Sequence, residues 1–444
     1  MDQQNADAMR LYQGCISSAV VEYLQKQMKV KMRDCVYTAP VVIWLMICQW
    51  LQPKGTLATT VERLSEGAAD SLLSRRARLR RKGVSRRTGG YSHARQRLPK
   101  LLCKKVTQEL ILRLRQILNP EGQSSAYLLD GSSLELEASP GLRRAYPPAE
   151  NQHGRAHWPV LRIVVLHELE TGLAEEPQWG PMYGPAAVSE QTLAEKAMDA
   201  LAPGSVVVGD RNFGVFSIIW AVQQRGLGVV TRLTEERARK LAGEPISAQG
   251  ERTVRWTPTR FDGRRQGGMP EGVCVEGRLI SVRIGRGTSK EWLHLFTTRK
   301  ESAEDVVALY GQRWKIETDL RSLKRTVRLH HIAVRKPSTL EKELLTAVAA
   351  YNLVRAVMAL AARRHGLSPR QLSFTFVMNV VDTCWHKLQT AADANSYQRA
   401  VFAMLDTAAQ GTHPKRRKRR SYPRAAWNRR HTFPTLKEGP HGLT

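Results

Sequence analysis

Tyr310, Arg313, Glu317 and Lys324 form a comb whose teeth are separated by two, three and six residues. At about 3.6 residues per turn, offsets of 3, 7 and 14 project at roughly 300°, 340° and 320° from Tyr310, so all four side chains share one helix face. A phenol, a guanidinium, a carboxylate and an ammonium make a poor apolar seam. They make a good site for a metal ion and a phosphate. Arg313 can grip a phosphate in a bidentate fork, Lys324 can act as a point charge, and Tyr310 can donate to a phosphate oxygen. The competing reading is a surface ion pair between Arg313 and Glu317 at i,i+4 spacing, to which Tyr310 and Lys324 add nothing. Trp314 lies close to the same stripe.

Two aspartates share a context that suits the same chemistry. Asp130 follows the apolar run Ala126-Tyr127-Leu128-Leu129, and Asp210 follows Ser205-Val206-Val207-Val208-Gly209. Each is expected to end a buried strand where the chain leaves the sheet, the place where reactive groups collect in open α/β sheets. A lone aspartate there is usually a turn former or a helix cap. Two of them, with Glu317 on a later helix, point to hard-oxygen ligands for Mg²⁺ or Mn²⁺. Clustered carboxylates repel one another and need a cation to hold them close. A pair of such ions can drive phosphoryl transfer without a protein nucleophile. The sequence has no GxSxG element, Walker loop or HExxH motif to support a different chemistry.

The elements needed to position these residues are legible in outline. The chain has 444 residues and 42% hydrophobic content, enough for two or three domains with a large core. Helices are expected over 5–33, 39–52, 57–80 and 99–118, with Gly83, Gly89 and Gly90 marking turns. From about 124 the order reads β-β-β-α-β-α-β: strands at 126–129, 133–138, 160–168, 205–208 and 228–233, and helices at 193–201 and 215–224. Residues 234–300 alternate at period two and read as a β-rich insertion with Gly-Arg turns near 263–268. The comb helix follows at about 303–326, then helices at 338–365, 369–389 and 395–409. Three domains are expected: a helical one at 1–120, a mixed α/β one at 121–365 that carries the comb and both aspartates, and a helical C-terminal region with a basic tail at 366–444.

Charge names the partner class. The formal net charge is +29, from 69 Lys+Arg against 40 Asp+Glu, which predicts a polyanionic partner, nucleic acid first. Residues 71–108 hold 13 Lys/Arg and no acid, and 407–437 hold 10 more, again without one. The six cysteines have no metal-ligand spacing and read as buried, reduced thiols of a cytosolic protein. The uncharged run 36–53 and the Ala/Leu-rich 338–365 are expected to pack inside the protein, not to span a membrane. His153, His157, His330 and His331 fit no familiar ligand set, and Trp44 and Trp50 read as core.

With these residues in hand, the chain resembles the DDE transposases of the insertion-sequence-four family, relatives of the transposon-five transposase. The family signature of Tyr, two residues, Arg, three residues, Glu, six residues, Lys is complete here as Y-GQ-R-WKI-E-TDLRSL-K. Asp130-Gly131-Ser132 looks like the first catalytic motif, and Gly209-Asp210-Arg211-Asn212-Phe213 like the second, with Asn212 where glycine is often found. The stretch Gly90-Tyr91-Ser92-His93-Ala94-Arg95-Gln96-Arg97-Leu98-Pro99 also resembles members. The likeness covers roughly residues 85–365.

The resemblance implies an α/β, RNase H-like mixed sheet with a β-rich insertion, flanked by helical regions. It implies Asp130, Asp210 and Glu317 as catalytic ligands of two Mg²⁺ or Mn²⁺ ions. Tyr310, Arg313, Lys324, Trp314 and Arg211 would face DNA. Trp292 resembles the family's base-holding tryptophan, at a shorter spacing to Tyr310. The implied reaction is cut-and-paste transposition with a hairpin at the transposon end, run by a homodimer on paired inverted repeats. A hairpin bends a strand sharply, and an aromatic pocket offsets the cost of unstacking a base. Two other functions are weighed: a transposase-derived regulator that binds DNA without cutting it, and a general nuclease of the same fold.

Overall fold

The computed structural model describes residues 18–413 apart from 30–35, 53, 74–82, 84, 120–124, 153, 260–261, 263–269, 271, 287–288, 390 and 392. The Gly-Arg turns near 263–268, the run 415–430, His153, Cys15 and Cys35 therefore lie outside the described residues, as does part of the 71–108 block. The described residues up to Thr412 form one compact unit.

Among the described residues, five α-helices precede the sheet: α1 (Ser18–Gln27), α2 (Ala39–Leu51), α3 (Leu57–Ser65), α4 (Gly89–Arg97) and α5 (Lys100–Leu118). Pro40 sits in the first turn of α2, where its missing N–H breaks no helix bond. All of α2 except Gln49 is buried, which makes it a core helix. Trp44 and Trp50 are both buried in it, and the Trp44 ring packs on Trp385 at 4.3 Å. The helix expected over 57–80 is shorter, because α3 stops at Ser65 and Gly67 turns the chain at φ 107°. Gly89 and Gly90, expected as turns, begin α4 instead. A side chain at Gly90 would crowd the Tyr37 ring at 3.3 Å.

The sheet has eight strands: β1 (Ala126–Glu135), β2 (Val160–Glu168), β3 (Gln178–Pro181), β4 (Val206–Gly209), β5 (Gly228–Leu233), β6 (Gly250–Trp256), β7 (Val275–Arg286) and β8 (Ser289–Thr297). Their order is β3-β2-β1-β4-β5-β8-β7-β6. The first three form an antiparallel meander, and β4 and β5 then run parallel to β1. This is the RNase H-like arrangement, and the fold is α/β as expected. Strands β6–β8 prolong the same sheet through the antiparallel pairing of β8 with β5. The period-two block is thus an extension of the sheet, and helix α9 (Glu235–Ala242) enters it unannounced.

Two expectations about the first strands change. The segments at 126–129 and 133–138 are one continuous strand, β1, paired with β2 from Tyr127 to Glu135. Asp130 and Gly131 lie in its middle, so Asp130 does not end it. The third early strand is β3, a short edge whose Gln-Trp-Gly-Pro gives little alternation to read. Between and after the strands lie α6 (Pro140–Ala145), α7 (Glu190–Met198) and α8 (Phe216–Gln224). The chain continues with α10 (Ala303–Gly311), α11 (Lys315–Arg321), α12 (Pro337–Arg364), α13 (Phe374–Gln389) and α14 (Ala394–Ala409).

Helix α12 is long and apolar enough to cross a membrane, yet it is buried in the protein. It carries three buried charges, each with a partner. Lys342 Nζ donates to the carbonyls of Arg95, Gln96 and Leu98 at 2.5, 3.1 and 2.9 Å. That ammonium caps the C-terminal end of α4, where carbonyls are unpaired and the helix dipole is negative. Glu343 pairs with Arg95, so this arginine of the basic block is spent inside the protein. Arg355 pairs with buried Asp319 of α11, which also receives Arg370.

His167 stands beside that last group, with its ring at 5.4 Å from Tyr351. Burial, with Arg355 alongside, pushes its pKa down to about 4 against the opposing pull of Asp319. A histidine depressed in the fold is stabilising when neutral. That contribution is complete above its ordinary value of 6.5 and is lost as pH falls toward 4. Unfolding free energy should therefore drop between those values by up to about 1.4 kcal/mol per pH unit. His167→Phe should flatten the slope in urea titrations. An unchanged slope would assign the acid sensitivity elsewhere.

Candidate active site

The parallel register of β1 and β4 builds the site. Leu129 lies opposite Gly209, so the next residue on each strand brings Asp130 beside Asp210. At that level β4 ends, while β1 continues along β2. Asp130 is therefore strand-paired on the β2 side alone and has the turn at Asp210 on the other. This replaces a strand end with a strand edge, and it serves the same purpose. Gly131 N donates to Asp130 Oδ1 at 2.8 Å, and Asn212 N donates to Asp210 Oδ1 at 2.8 Å. Thr231 Oγ1, from β5, donates to the Asp210 carbonyl at 3.0 Å and fixes the turn.

The comb runs above these strands in four short helical pieces. Tyr310 is in α10, Arg313 in a 3₁₀ turn (Gln312–Trp314), Glu317 in α11, and Lys324 in a π-helical turn (Ser322–Thr326). The expected run at 303–326 is present, but its pitch is not uniform. A 3₁₀ turn overwinds and a π turn underwinds, so the ideal projection is only approximate. Lys324 Nζ nonetheless reaches Ser132 Oγ at 2.9 Å, on the strand that carries Asp130. Arg313 lies 3.6 Å from Glu317, so the ion pair weighed at the outset does form.

Electrostatics ties these pieces together. Burial raises Asp130 to about 6; Asp210 and Glu317 push the same way, while the Gly131 N–H and Arg313 oppose. Burial raises the Tyr310 pKa, opposed by the positive charges of Arg313 and of Arg232 on β5; Asp210 adds to the rise. The structure thus brings Asp130, Asp210, Glu317, Arg313 and Tyr310 into one field and ties Lys324 to its edge. Among the described residues, no three Asp, Glu, His or Cys side chains stand close enough to hold one ion as placed. The donor set still fits a hard divalent cation: half-buried carboxylates that repel one another and offer only oxygen ligands.

The two candidate tryptophans fall outside this centre. Trp314 is 68% exposed beside Arg313, an uncommon position for so large a ring. Trp292 lies on β8 under the guanidinium of Arg283, 4.7 Å from the ring centroid. Leu295 pairs with Arg232, one step past the level of Gly209. Trp292 is three residues further along, roughly 10 Å beyond the aspartates at about 3.3 Å per residue. It overhangs the open end of the sheet. Arg211 is exposed next to Asp210. Of the thiols, Cys48 and Cys103 are buried as expected, but Cys274 and Cys384 are partly exposed.

Three participants escaped the sequence reading. Ser132 receives Lys324, Arg232 acts on Tyr310 through its charge, and Glu190 of α7 lies within the field of Asp130 and Asp210. Arg232 could have been found from strand alternation, since it stands out in the apolar run Gly228–Leu233. Glu190 carries no motif that would single it out.

Residues 121–353 match the family described as the transposase DDE domain, a span of more than half the chain. The chain belongs to the DDE transposases. Within them it sides with the insertion-sequence-four family. It is 26% identical over 323 residues to the Escherichia coli K12 protein named transposase InsG for insertion sequence element IS4, covering 69% of this chain and 68% of that one. Among solved structures, a piggyBac transposase synaptic complex with hairpin DNA aligns over 87% of this chain and 81% of its own at 11% identity and a TM-score of 0.42. That likeness is too distant to add to the fold assignment. DDE transposases generally use divalent metal ions, and the acidic centre described above suits that habit.

Proposed function

We propose that this transposase excises and inserts its element by metal-dependent cut-and-paste chemistry, with Asp130, Asp210 and Glu317 as the catalytic ligands. The observation that carries the reading is the register of β1 on β4, which sets two half-buried carboxylates side by side near the comb. Two bound Mg²⁺ or Mn²⁺ ions would activate the attacking oxygen and stabilise the leaving one. The chain's own residues do the rest. Asp130 and Asp210 supply hard oxygens from rigid strands. Glu317 joins them on leaving Arg313, which is then free to fork a phosphate. Lys324, Tyr310 and Arg211 hold flanking phosphates, and Ser132 aims Lys324. Exposed Trp314 and overhanging Trp292 offer faces for a base displaced when the strand folds into a hairpin.

The protein would act in the cytoplasm on nucleoid DNA, as a homodimer that pairs two terminal inverted repeats and then captures target DNA. Residues 1–120 would read the end sequence, 121–365 would cut, and the tail within 366–444 would add phosphate contacts. A DNA-binding regulator without catalysis has one observation in its favour, the ion pair that Glu317 already makes with Arg313. The deciding assay incubates the full chain with duplexes bearing the inverted repeats that flank its gene. Mg²⁺ should give nicks and hairpins at those ends, a chelator should stop them, and binding should weaken steeply with salt. Binding without cutting would favour the regulator, and equal cutting of unrelated DNA a general nuclease.

A further inference from the structure

Asn212 departs from the glycine often found at its place, and its contacts give that departure a purpose. Its backbone N–H donates to Asp210 Oδ1 at 2.8 Å, and its side-chain amide donates to Glu190 Oε2. Gln191 Nε2 grips the same residue from the other side, at 3.0 Å to its carbonyl and 3.1 Å to Oδ1. Both gripping side chains come from the first turn of α7, which Ser189 caps by accepting from Thr192 N. That turn is braced in its turn by Arg162 of β2, which donates to the Val188 carbonyl at 2.8 Å.

Gly131 completes the arrangement. A Cβ at this position would stand 2.6 Å from Glu190 Cδ and nearer still to Oε1. The Glu190 carboxylate therefore occupies a notch over β1 that only glycine leaves open. This accounts for the glycine after Asp130 although β1 is regular there and has no positive φ.

We infer that Glu190 is a positioning residue of the catalytic centre: seated in the Gly131 notch, it holds Asn212, and through Asn212 the carboxylate of Asp210, beside Asp130. The inference rests on the metal-dependent reading above. Without the bridge, the Asp210 carboxylate would swing away from Asp130, because like charges repel and the other ties on the turn, from Thr231 to the Asp210 carbonyl, Arg237 to the Arg211 carbonyl and Gln191 to the Asn212 carbonyl, hold its backbone and not the Asp210 side chain. The Glu190 side chain acts through hydrogen bonding, so an uncharged acceptor of the same shape should serve.

The test measures Mn²⁺ affinity of the full chain without DNA, by electron paramagnetic resonance or calorimetry. Glu190→Ala and Asn212→Ala should each weaken binding about tenfold or more, the loss typical of a partner that orients a metal ligand. Glu190→Gln, whose amide oxygen still accepts from Asn212, should recover most of it. Gly131→Ala should reproduce the weakening, because its methyl displaces only the flexible end of Glu190. Wild-type affinity in Glu190→Ala or Asn212→Ala overturns the inference, as does a Glu190→Gln variant as weak as Glu190→Ala. Asp130→Asn and Asp210→Asn run alongside. If they weaken binding and Glu190→Ala does not, only the positioning role fails. If neither weakens it, the metal-dependent reading falls and this inference with it.

Discussion

Asp130→Asn and Asp210→Asn should each abolish end cleavage while DNA capture persists. The expected loss exceeds about 100-fold, the upper cost of removing a residue that merely supports a metal ligand, since here a proposed ligand itself is neutralised. Capture persists because the basic surface is untouched, and phosphate contacts supply most of the affinity. Asp130→Asn carries a second, opposite expectation. Its carboxyl is raised to about 6 from 3.8, chiefly by burial, so ionising it costs the ion-free fold stability. A raised acid is stabilising while protonated, and that contribution is lost as pH rises through the folded value. The variant should therefore melt higher than wild type above pH 6, by about 1–3 kcal/mol in unfolding free energy. The gap should close as pH falls toward 4. Activity and stability moving in opposite directions is the mark of a strained functional carboxylate. An Asp130→Asn protein that still cuts would remove this residue from the site. One that is less stable than wild type would mean its burial cost is met by partners already in place.

The sequence showed the site's chemistry more clearly than its construction. Val160–Glu168 and Gly228–Leu233 match their strands residue for residue, because both are buried β-branched runs bounded by turns. The comb was legible because four polar side chains on one helical stripe conflict with simple core packing. The continuity of β1 through Asp130-Gly131 was not legible, since an Asp-Gly step reads locally as a turn. It is held straight by pairing with β2, a contact distant in sequence. The helical start at Gly89-Gly90 was hidden for a similar reason: glycine is a poor helix former, and tertiary packing on Tyr37 overrides propensity there. Glu190 was invisible because nothing near it in the chain announces Gly131 or Asn212. The anchor of the comb helix also lies outside it. Asp319, two residues after Glu317, is drawn inward by Arg355 and Arg370 from later in the chain.

That inward pull makes Asp319→Ala the largest expected stability loss. Asp319 is fully buried at the foot of the turn that carries Glu317. Burial alone would raise its pKa, but Arg355, Arg370 and His167 outweigh it and hold the carboxyl below its usual range. Arg355 also donates to the Tyr351 hydroxyl at 2.8 Å, which donates to the Gly172 carbonyl at 2.9 Å. Removing the carboxylate leaves Arg355 buried without its counter-charge. Breaking such a pair from one side costs about 3–5 kcal/mol. Urea unfolding should show that loss in Asp319→Ala. Asp319→Leu combined with Arg355→Met should recover a large part, since a well-packed apolar pair can replace a buried ionic one. Single-variant costs that simply add would mean the two residues act independently, and α11 is anchored some other way. The cleavage assay separates structure from placement. In the repacked double variant the fold returns but α11 loses its fixed tether to α12. End cleavage should then stay below wild type even where the protein is fully folded, because Glu317 and Lys324 lie on either side of the lost anchor.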